Sequence, residues 1–206
     1  ENIPIPAEVE HALREATEYK AMTFKGHNDN VSTADFSPNG EYVVSASRDG
    51  TIKLWEVDSG ECIKTFVGHT GGVKSAVFSS DGKYIVSASW DNTIKLWEVE
   101  GDNREAIKTF EGHTSPINSA AFSNDGKYIV SASNDNTIKL WEVEGDNCKS
   151  IKTFEGNTDN VYSAVFSNDG QYIVSVSNDE TIKLWEVEED NRKAIKTLKG
   201  HDAWVK

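Results

Sequence analysis

The chain has 206 residues, 37% of them hydrophobic and 27% charged, which is enough for one sizeable core and too hydrophobic for a disordered tail. Its 34 acidic and 21 basic residues give a formal net charge of −13, which repels phosphate backbones, so no nucleic acid partner is expected. No apolar run approaches the roughly 20 residues of a membrane-spanning helix, and no secretory signal pattern is found, so no membrane partner is expected.

The cysteine content bears on compartment and cofactors. Cys62 and Cys148 are too few for a disulfide scaffold, and no Cys or His cluster has the spacing of a zinc site. We therefore expect a reducing, cytoplasmic setting, with no metal and no cofactor.

Residues 1–18 differ in composition from the rest and are predicted to form an extended lead-in and a short linker helix. Pro4 and Pro6 favour the extended part, and Pro6 followed by acidic residues suits a helix start. A weak apolar stripe follows, made of Val9, Ala12, Leu13 and Ala16. This helix either leans on the adjacent domain or connects to an upstream effector domain, and we favour the connector.

The remainder, 19–206, is built from a repeat. The segment T-I-K-L-W-E-V occurs at 51–57, 93–99, 137–143 and 181–187, with its tryptophans 42, 44 and 44 residues apart. Between 70–113 and 114–157, 33 of 44 positions are identical, which indicates duplication of one unit. The predicted blades are 31–66, 73–110, 117–154 and 161–198, preceded by an orphan fourth strand at 19–24 and followed by a first-strand stub at 203–206.

Each unit reads as four short strands. In the third unit the predicted strands are Ile117 to Phe122, Lys127 to Ser133, Thr137 to Val143 and Ser150 to Phe154. An Asp-Gly or Asn-Gly turn follows the first strand, as expected of a hairpin. No 3.6-residue periodicity indicates helical repeats, so the predicted fold class is all-β.

The Gly-His opening (Gly26-His27), the tight Asp turn and the strand ending in Trp are similar to those of the WD-repeat β-propeller family. The final dipeptide is Trp-Glu rather than the family's Trp-Asp. The resemblance implies a propeller of four-stranded antiparallel blades, with four complete blades and partial strands at both ends. It also implies a Trp–Ser–His–Asp tetrad in each blade, assigned to His27, Ser47, Asp49, Trp55; His69, Ser89, Asp91, Trp97; His113, Ser133, Asp135, Trp141; and Asn157, Ser177, Asp179, Trp185.

These Ser, His and Asp residues also suggest a hydrolase triad. A catalytic triad needs one exposed nucleophile beside an oxyanion site, whereas four equivalent copies beneath tryptophans favour buried hydrogen-bond networks. No phosphate loop, metal-ligand set or unique nucleophile is present, so no catalytic residue is assigned. Because Asn157 replaces histidine, the fourth blade is predicted to be the least stable.

The resemblance also places the loops before the first strands and the turns around the tetrad Asp on one face. Positions that vary between repeats there are candidates for partner binding, above all Trp90, because Trp, Tyr and Arg often anchor interfaces. The alternative is that Trp90 lies flat over its own blade. The predicted partner-binding face comprises Asn30, Ser32, Arg48, Lys74, Trp90, Asn118, Asn134, Tyr162, Asn178, Trp204 and Lys206.

Two recurring charge patterns receive structural interpretations. The acidic loops at 98–103, 142–147 and 186–191 favour a solvated rim over a calcium site, because strand alternation spreads their carboxylates. The lysines of the third and fourth strands are interpreted as protection against edge pairing, with stems resting on apolar neighbours.

The sequence therefore predicts a non-catalytic scaffold or sensor that binds a protein or peptide through the loop face. Three interpretations of its ends are open: a segment of a longer propeller, which is favoured, two chains that complete one ring, or a self-closed four-bladed ring. The alternative function is self-assembly, in which open edges complete a ring with another chain. A propeller hydrolase is a more distant alternative.

Overall fold

The computed structural model describes residues 22–145, 147–188 and 192–200. The predicted lead-in and helix over 1–18, the first half of the strand predicted at 19–24 and the stub at 203–206 lie outside these residues. Residues 22–24 form no strand, because the described residues include no sheet before β1 with which they could pair.

The described part of the chain is all-β and forms four antiparallel sheets, each of four strands in chain order. The predicted fold class is confirmed. The strands of the first two sheets are β1 (Val31–Phe36), β2 (Tyr42–Ser47), β3 (Ile52–Glu56), β4 (Cys62–Phe66), β5 (Val73–Phe78), β6 (Tyr84–Ser89), β7 (Thr93–Glu98) and β8 (Lys108–Glu111). Those of the other two are β9 (Ile117–Phe122), β10 (Tyr128–Ser133), β11 (Ile138–Glu142), β12 (Lys152–Phe154), β13 (Val161–Phe166), β14 (Tyr172–Ser177), β15 (Thr181–Glu186) and β16 (Lys196–Lys199).

The turn between the first two strands of each sheet follows from its sequence. In the second sheet the Ser79 hydroxyl donates to Asp81 Oδ1 at 2.6 Å, and the Gly82 N–H donates to the Ser79 carbonyl at 2.9 Å. Gly82 has φ of 73°, a left-handed conformation that glycine adopts without a Cβ clash. This local chemistry reverses the chain without help from the rest of the fold.

The sheets stack face to face in chain order, and the first strands of consecutive sheets lie side by side, as in propeller blades. Apolar residues from both sheets fill each of the three interfaces. At the first interface, Leu54 and Phe66 pack against Val73, Ile85 and Trp97, all 0–2% exposed. Because the core lies between sheets, each blade depends on its neighbours for stability.

The outer faces of the first and last described sheets lack such a neighbour. Val31 and Phe36 of the first sheet are 55% and 64% exposed, and Leu198 of the last is 46% exposed. Part of the first face is covered by Phe24, whose ring packs edge-on against Trp55 with centroids 5.7 Å apart. Phe66 packs on Trp97 in the same way, so Phe24 takes the position that a fourth strand takes elsewhere.

Candidate functional site

A chain of hydrogen bonds links four side chains inside the second blade. The Trp97 indole N–H donates to Ser87 Oγ at 2.8 Å, and Ser87 Oγ lies 2.7 Å from His69 Nε2. On the other side of the ring, His69 Nδ1 lies 2.7 Å from Asp91 Oδ2. A histidine protonated on Nδ1 satisfies every member, because it accepts from the hydroxyl and donates to the carboxylate.

The same chain occurs in the first and third blades, but its serine differs from the predicted one. Trp55 and His27 both bond Ser45 Oγ, at 2.8 and 2.7 Å, and not Ser47. The assignments of Ser47, Ser89, Ser133 and Ser177 as tetrad members are therefore wrong. The serines that bond the indoles lie two residues earlier, at Ser45, Ser87, Ser131 and Ser175.

Strand register explains the correction. Ser45 and Ser47 lie on the same face of β2, so alternation alone does not distinguish them. Trp55 pairs with Val43, which makes Ser45 its diagonal neighbour, within reach of an indole, and puts Ser47 two residues further away. Ser47 serves the adjacent turn instead, where its hydroxyl donates to the Asp29 carbonyl and accepts from the Asp49 N–H.

The tetrad aspartates are ionised at neutral pH. Burial tends to raise the pKa of Asp91, but hydrogen bonds from His69, Thr93 and the Thr70 N–H outweigh it and hold the pKa well below its ordinary value. The balance is similar at Asp49 and Asp135. Burial lowers the pKa of His113 against the opposing effect of Asp135, which favours the neutral imidazole that this network requires.

The fourth blade lacks this chain. Trp185 still donates to Ser175 at 2.9 Å, but Asn157 bonds neither neighbour, and its buried amide oxygen and nitrogen have no partner among the described residues. Lys183 contacts Asp179 Oδ2 at 2.7 Å instead and is itself buried. Burial tends to raise the pKa of Asp179, but bonds from Lys183 and Thr181 lower it to about 2.

Lys183 departs from the behaviour of its counterparts. Lys53, Lys95 and Lys139 each donate to a fourth-strand threonine at 2.9 Å. The short asparagine side chain leaves the carboxylate without a histidine donor, and the lysine takes that place. This substitution of one donor for another was not predicted from the sequence.

The geometry argues against a Ser-His-Asp hydrolase. In the first three blades the serine oxygens are engaged by both the indole and the imidazole, and Ser87 and Ser131 are completely buried. A substrate carbonyl has no access to them, whereas nucleophilic catalysis needs an accessible nucleophile.

The residues predicted to form the partner-binding face lie together at the strand ends. In each blade the residue before the tetrad Asp donates its N–H to the carbonyl of the residue before the first strand, as Trp90 does to Gly72 at 3.0 Å. The equivalent bonds join Arg48 to Asn30, Asn134 to Pro116 and Asn178 to Asn160. Trp204 and Lys206 lie outside the described residues.

Seven of the candidate residues on this face form three groups. Trp90 meets Arg48 and Lys74, whose Cζ and Nζ atoms lie over its ring at 5.2 and 5.7 Å from the centroid. Asn118 bonds Asn134 at 2.7 Å, and Tyr162 bonds Asn178 at 3.3 Å. Trp90 therefore does not lie alone over its own blade but joins residues of two blades, and it is 41% exposed.

A set of lysine contacts between adjacent blades was also not predicted from the sequence. Lys64 Nζ donates to the carbonyls of Glu98 and Val99 in the next blade, both at 3.0 Å, and is only 7% exposed. Lys108 and Lys152 make equivalent contacts. These lysines connect adjacent blades as well as lining an edge; their recurrence in every repeat was the available signal.

Neither a metal-binding cluster nor a membrane-spanning helix is found among the described residues. No group of three or more His, Cys, Asp or Glu side chains there is placed to hold a metal ion. No helix long and apolar enough to cross a bilayer occurs within the same residues.

Comparison with protein families agrees with this geometry. The model of the WD40 family, described as WD domain, G-beta repeat, matches residues 19–56, 60–98, 104–142 and 148–186, well over half of the chain. The chain belongs to the WD40-repeat family. The second, third and fourth matches each begin one strand before a sheet, so each contributes a fourth strand to one blade and three strands to the next.

Several curated relatives match a short stretch of the chain. Over 46 residues the chain is 46% identical to the ribosome biogenesis protein BOP1 homologs of Drosophila erecta and Drosophila sechellia, and 44% identical to that of Drosophila grimshawi. This stretch is 22% of the chain and spans only 6% of the length of each relative. It is about one WD40 repeat long, so it supports the repeat rather than a shared activity.

Proposed function

We propose that this chain is a non-catalytic interaction module, a scaffold or sensor within a larger multidomain protein, that binds a protein or peptide through its loop face. Membership of the WD40 family supports an interaction role. Both cysteines are free thiols, which is compatible with a reducing, cytoplasmic setting. BOP1 is by its name a ribosome biogenesis protein, so an assembly scaffold is one form that the role can take.

The exposed Trp90 is the observation that carries the proposal. The tryptophans of the four blade tetrads are at most 2% exposed, whereas Trp90 is 41% exposed on the loop face. Its counterparts Arg48, Asn134 and Asn178 are polar, so the repeat itself does not require an indole there. Exposed aromatic residues next to arginine are typical anchors of protein interfaces.

Selection from a displayed peptide library tests this function. The selected peptides should bind the wild-type chain and lose about tenfold or more in affinity on Trp90→Asn, while the melting temperature is unchanged. Ile107→Asn is the matched control, because Ile107 is also 41% exposed but lies before β8. Equal binding to both variants would remove the loop face from the interaction.

A second candidate function is assembly of two copies into one ring, favoured by the exposed outer faces of the first and last sheets. Val31 and Val174 are 55% and 37% exposed, whereas their counterparts Val73 and Val86 in the second blade are completely buried. Two copies would give eight blades, within the roughly 4–8 that propellers use. Phe24 already covers part of the first face, so a docking sheet must accommodate it.

Light scattering behind a sizing column tests this candidate. Assembly predicts twice the chain mass of 22.8 kDa, and Val174→Lys should restore the monomer. Ile63→Lys, at a similarly exposed position in β4 of the first blade, should leave the dimer intact. A wild-type monomer at micromolar concentration would eliminate the candidate.

A further inference from the structure

Two glycines of the second blade leave space for the side chain of Trp90. A Cβ atom at Gly71 would lie 2.9 Å from the Asp91 nitrogen, and one at Gly72 would lie 3.2 Å from Trp90 Cε3 and from Arg48 Cα. The corresponding positions elsewhere hold larger residues, such as Ser115 and Pro116 in the third blade. Two glycines and one tryptophan therefore fit together as a set, and the indole covers the seam between the first two blades.

Two cations share this indole. Arg48 comes from the turn after β2, and Lys74 comes from β5, so one ring holds positive charges from two sheets. The aromatic face attracts a guanidinium but accepts none of its N–H groups. Arg48 is exposed and makes no ion pair within the described part of the chain, which leaves its N–H donors available.

A depression of about 400 Å³ lies beside these cations. It is lined by Asn30, Val31, Ser32, Arg48 and Lys74, and therefore by amide and hydroxyl groups and two cations but no carboxylate. The adjacent Asp29 accepts from the Asn30 N–H at 2.6 Å. Within a chain of net charge −13, this is a local concentration of positive charge with neutral donors around it.

We propose that the cluster of Arg48, Lys74 and Trp90 binds the carboxylates of an acidic peptide segment. This inference rests on the proposed function and names the chemistry of the partner. A carboxylate in the depression accepts N–H bonds from the Arg48 guanidinium, and the positive charge of the nearby Lys74 adds to the attraction. Asn30 and Ser32 supply further donors to the peptide.

The observations favour a peptide over a nucleic acid. A nucleic acid presents a continuous row of phosphates, which the surrounding negative charge opposes at every step. A peptide needs only one or two carboxylates at the cluster, and its other residues are free to be neutral. The apolar surface of Trp90 suits the aliphatic part of a glutamate side chain.

A short fluorescein-labelled peptide with two glutamates among neutral residues is the probe, and its anisotropy is measured with the full chain at low and moderate salt. Arg48→Gln and Lys74→Gln should each weaken binding about tenfold or more, because a charged hydrogen bond or a nearby positive charge is lost. Lys127→Gln is the matched control, since Lys127 is 66% exposed in the turn before β10, where its Nζ lies 3.9 Å from Asp125 Oδ2. It should leave the affinity unchanged.

Three outcomes would overturn the inference. The first is binding of the two-glutamate peptide that Lys127→Gln weakens as much as Arg48→Gln. The second is an oligothymidylate of equal length that binds more tightly than the peptide and depends on the same two cations. The third is a selected library that depends on Trp90 but contains no acidic residues; in that case the loop-face function stands and the assigned chemistry fails.

Discussion

The third and fourth blades have the same architecture, yet one has a complete polar network and the other does not. In the third, His113 joins Ser131 to Asp135 with contacts of 2.8 and 2.7 Å. In the fourth, the indole–serine bond persists, Asn157 bonds to neither side, and Lys183 replaces the missing donor at the carboxylate. The network is therefore made of two separable halves, and only the histidine couples them.

A second difference lies in the turn after the tetrad Asp. Its next residue is left-handed in every blade: Gly50 (φ 81°), Asn92 (67°), Asn136 (67°) and Glu180 (64°). Glycine and asparagine adopt this conformation readily, whereas glutamate lacks a comparable compensation. The fourth blade thus combines a broken network with a strained turn, which supports its predicted lower stability.

The largest expected effect separates the two serines that bond the indoles. Ser131→Ala leaves both Trp141 and His113 without their shared partner and should cost about 2–4 kcal/mol. Ser175→Ala orphans only Trp185 and should cost about 1–2 kcal/mol. Native-state hydrogen exchange of peptides covering β10 and β14 measures both losses. Equal losses would mean that the histidine does not couple the network.

Exchanging the histidine and the asparagine is the next test. His113→Asn should destabilise the third blade by about 1–3 kcal/mol, because it orphans buried groups. Asn157→His should stabilise the fourth by about 1 kcal/mol, with Lys183 free to move to Thr197, its cross-strand partner. Hydrogen exchange compares the two blades in each variant. Equal protection of both blades in the wild type would contradict the predicted lower stability of the fourth blade.

Relief of the turn strain should have a smaller effect. Glu180→Asn places a residue that tolerates the left-handed conformation and should stabilise the fourth blade by about 0.5–1 kcal/mol. The reciprocal Asn136→Glu should destabilise the third by a similar amount. Urea denaturation monitored by circular dichroism measures the free energy of unfolding of both variants. The two changes relative to the wild type should have opposite signs.

The last test concerns acid. The pKa of Asp179 is about 2 in the folded chain, below its ordinary 3.8, so its contribution to stability is present above pH 4 and is lost as the pH falls towards 2. The pKa of Asp135 is held lower still, so its contribution persists further into acid. NMR titration of the two carboxyls should show Asp179 protonating first. Lys183→Met should raise the pKa of Asp179, whereas Lys139→Met should leave Asp135 unchanged.

Much of the fold could be predicted from the sequence because the same local sequence features recur in each repeat. The strand alternation, the Asp-Gly turns and the Trp spacing fix the four strands of each blade, and the third-unit strands were placed to within two residues. The tetrad serine was misplaced because Ser45 and Ser47 share a face, and only the cross-strand register distinguishes them.

The loop face was predictable as a region but not as an arrangement. Variation between repeats singled out Arg48, Lys74 and Trp90, but not that they meet over one ring. The contacts depend on the stacking of separate blades and on the space left at Gly71 and Gly72, neither of which is encoded locally. The lysines that cross to the next blade were missed for the same reason.

The offset between WD40 repeat and blade has a consequence for how such a chain grows. A duplicated repeat such as 60–98 carries β4, which completes the sheet already in place, and β5 to β7, which begin the following one. It also carries both Lys64 and the Glu98 carbonyl that Lys64 reaches. Each duplicated repeat therefore carries a complete interface between two blades rather than a complete blade. An added copy already contains the contacts that attach it to the preceding blade.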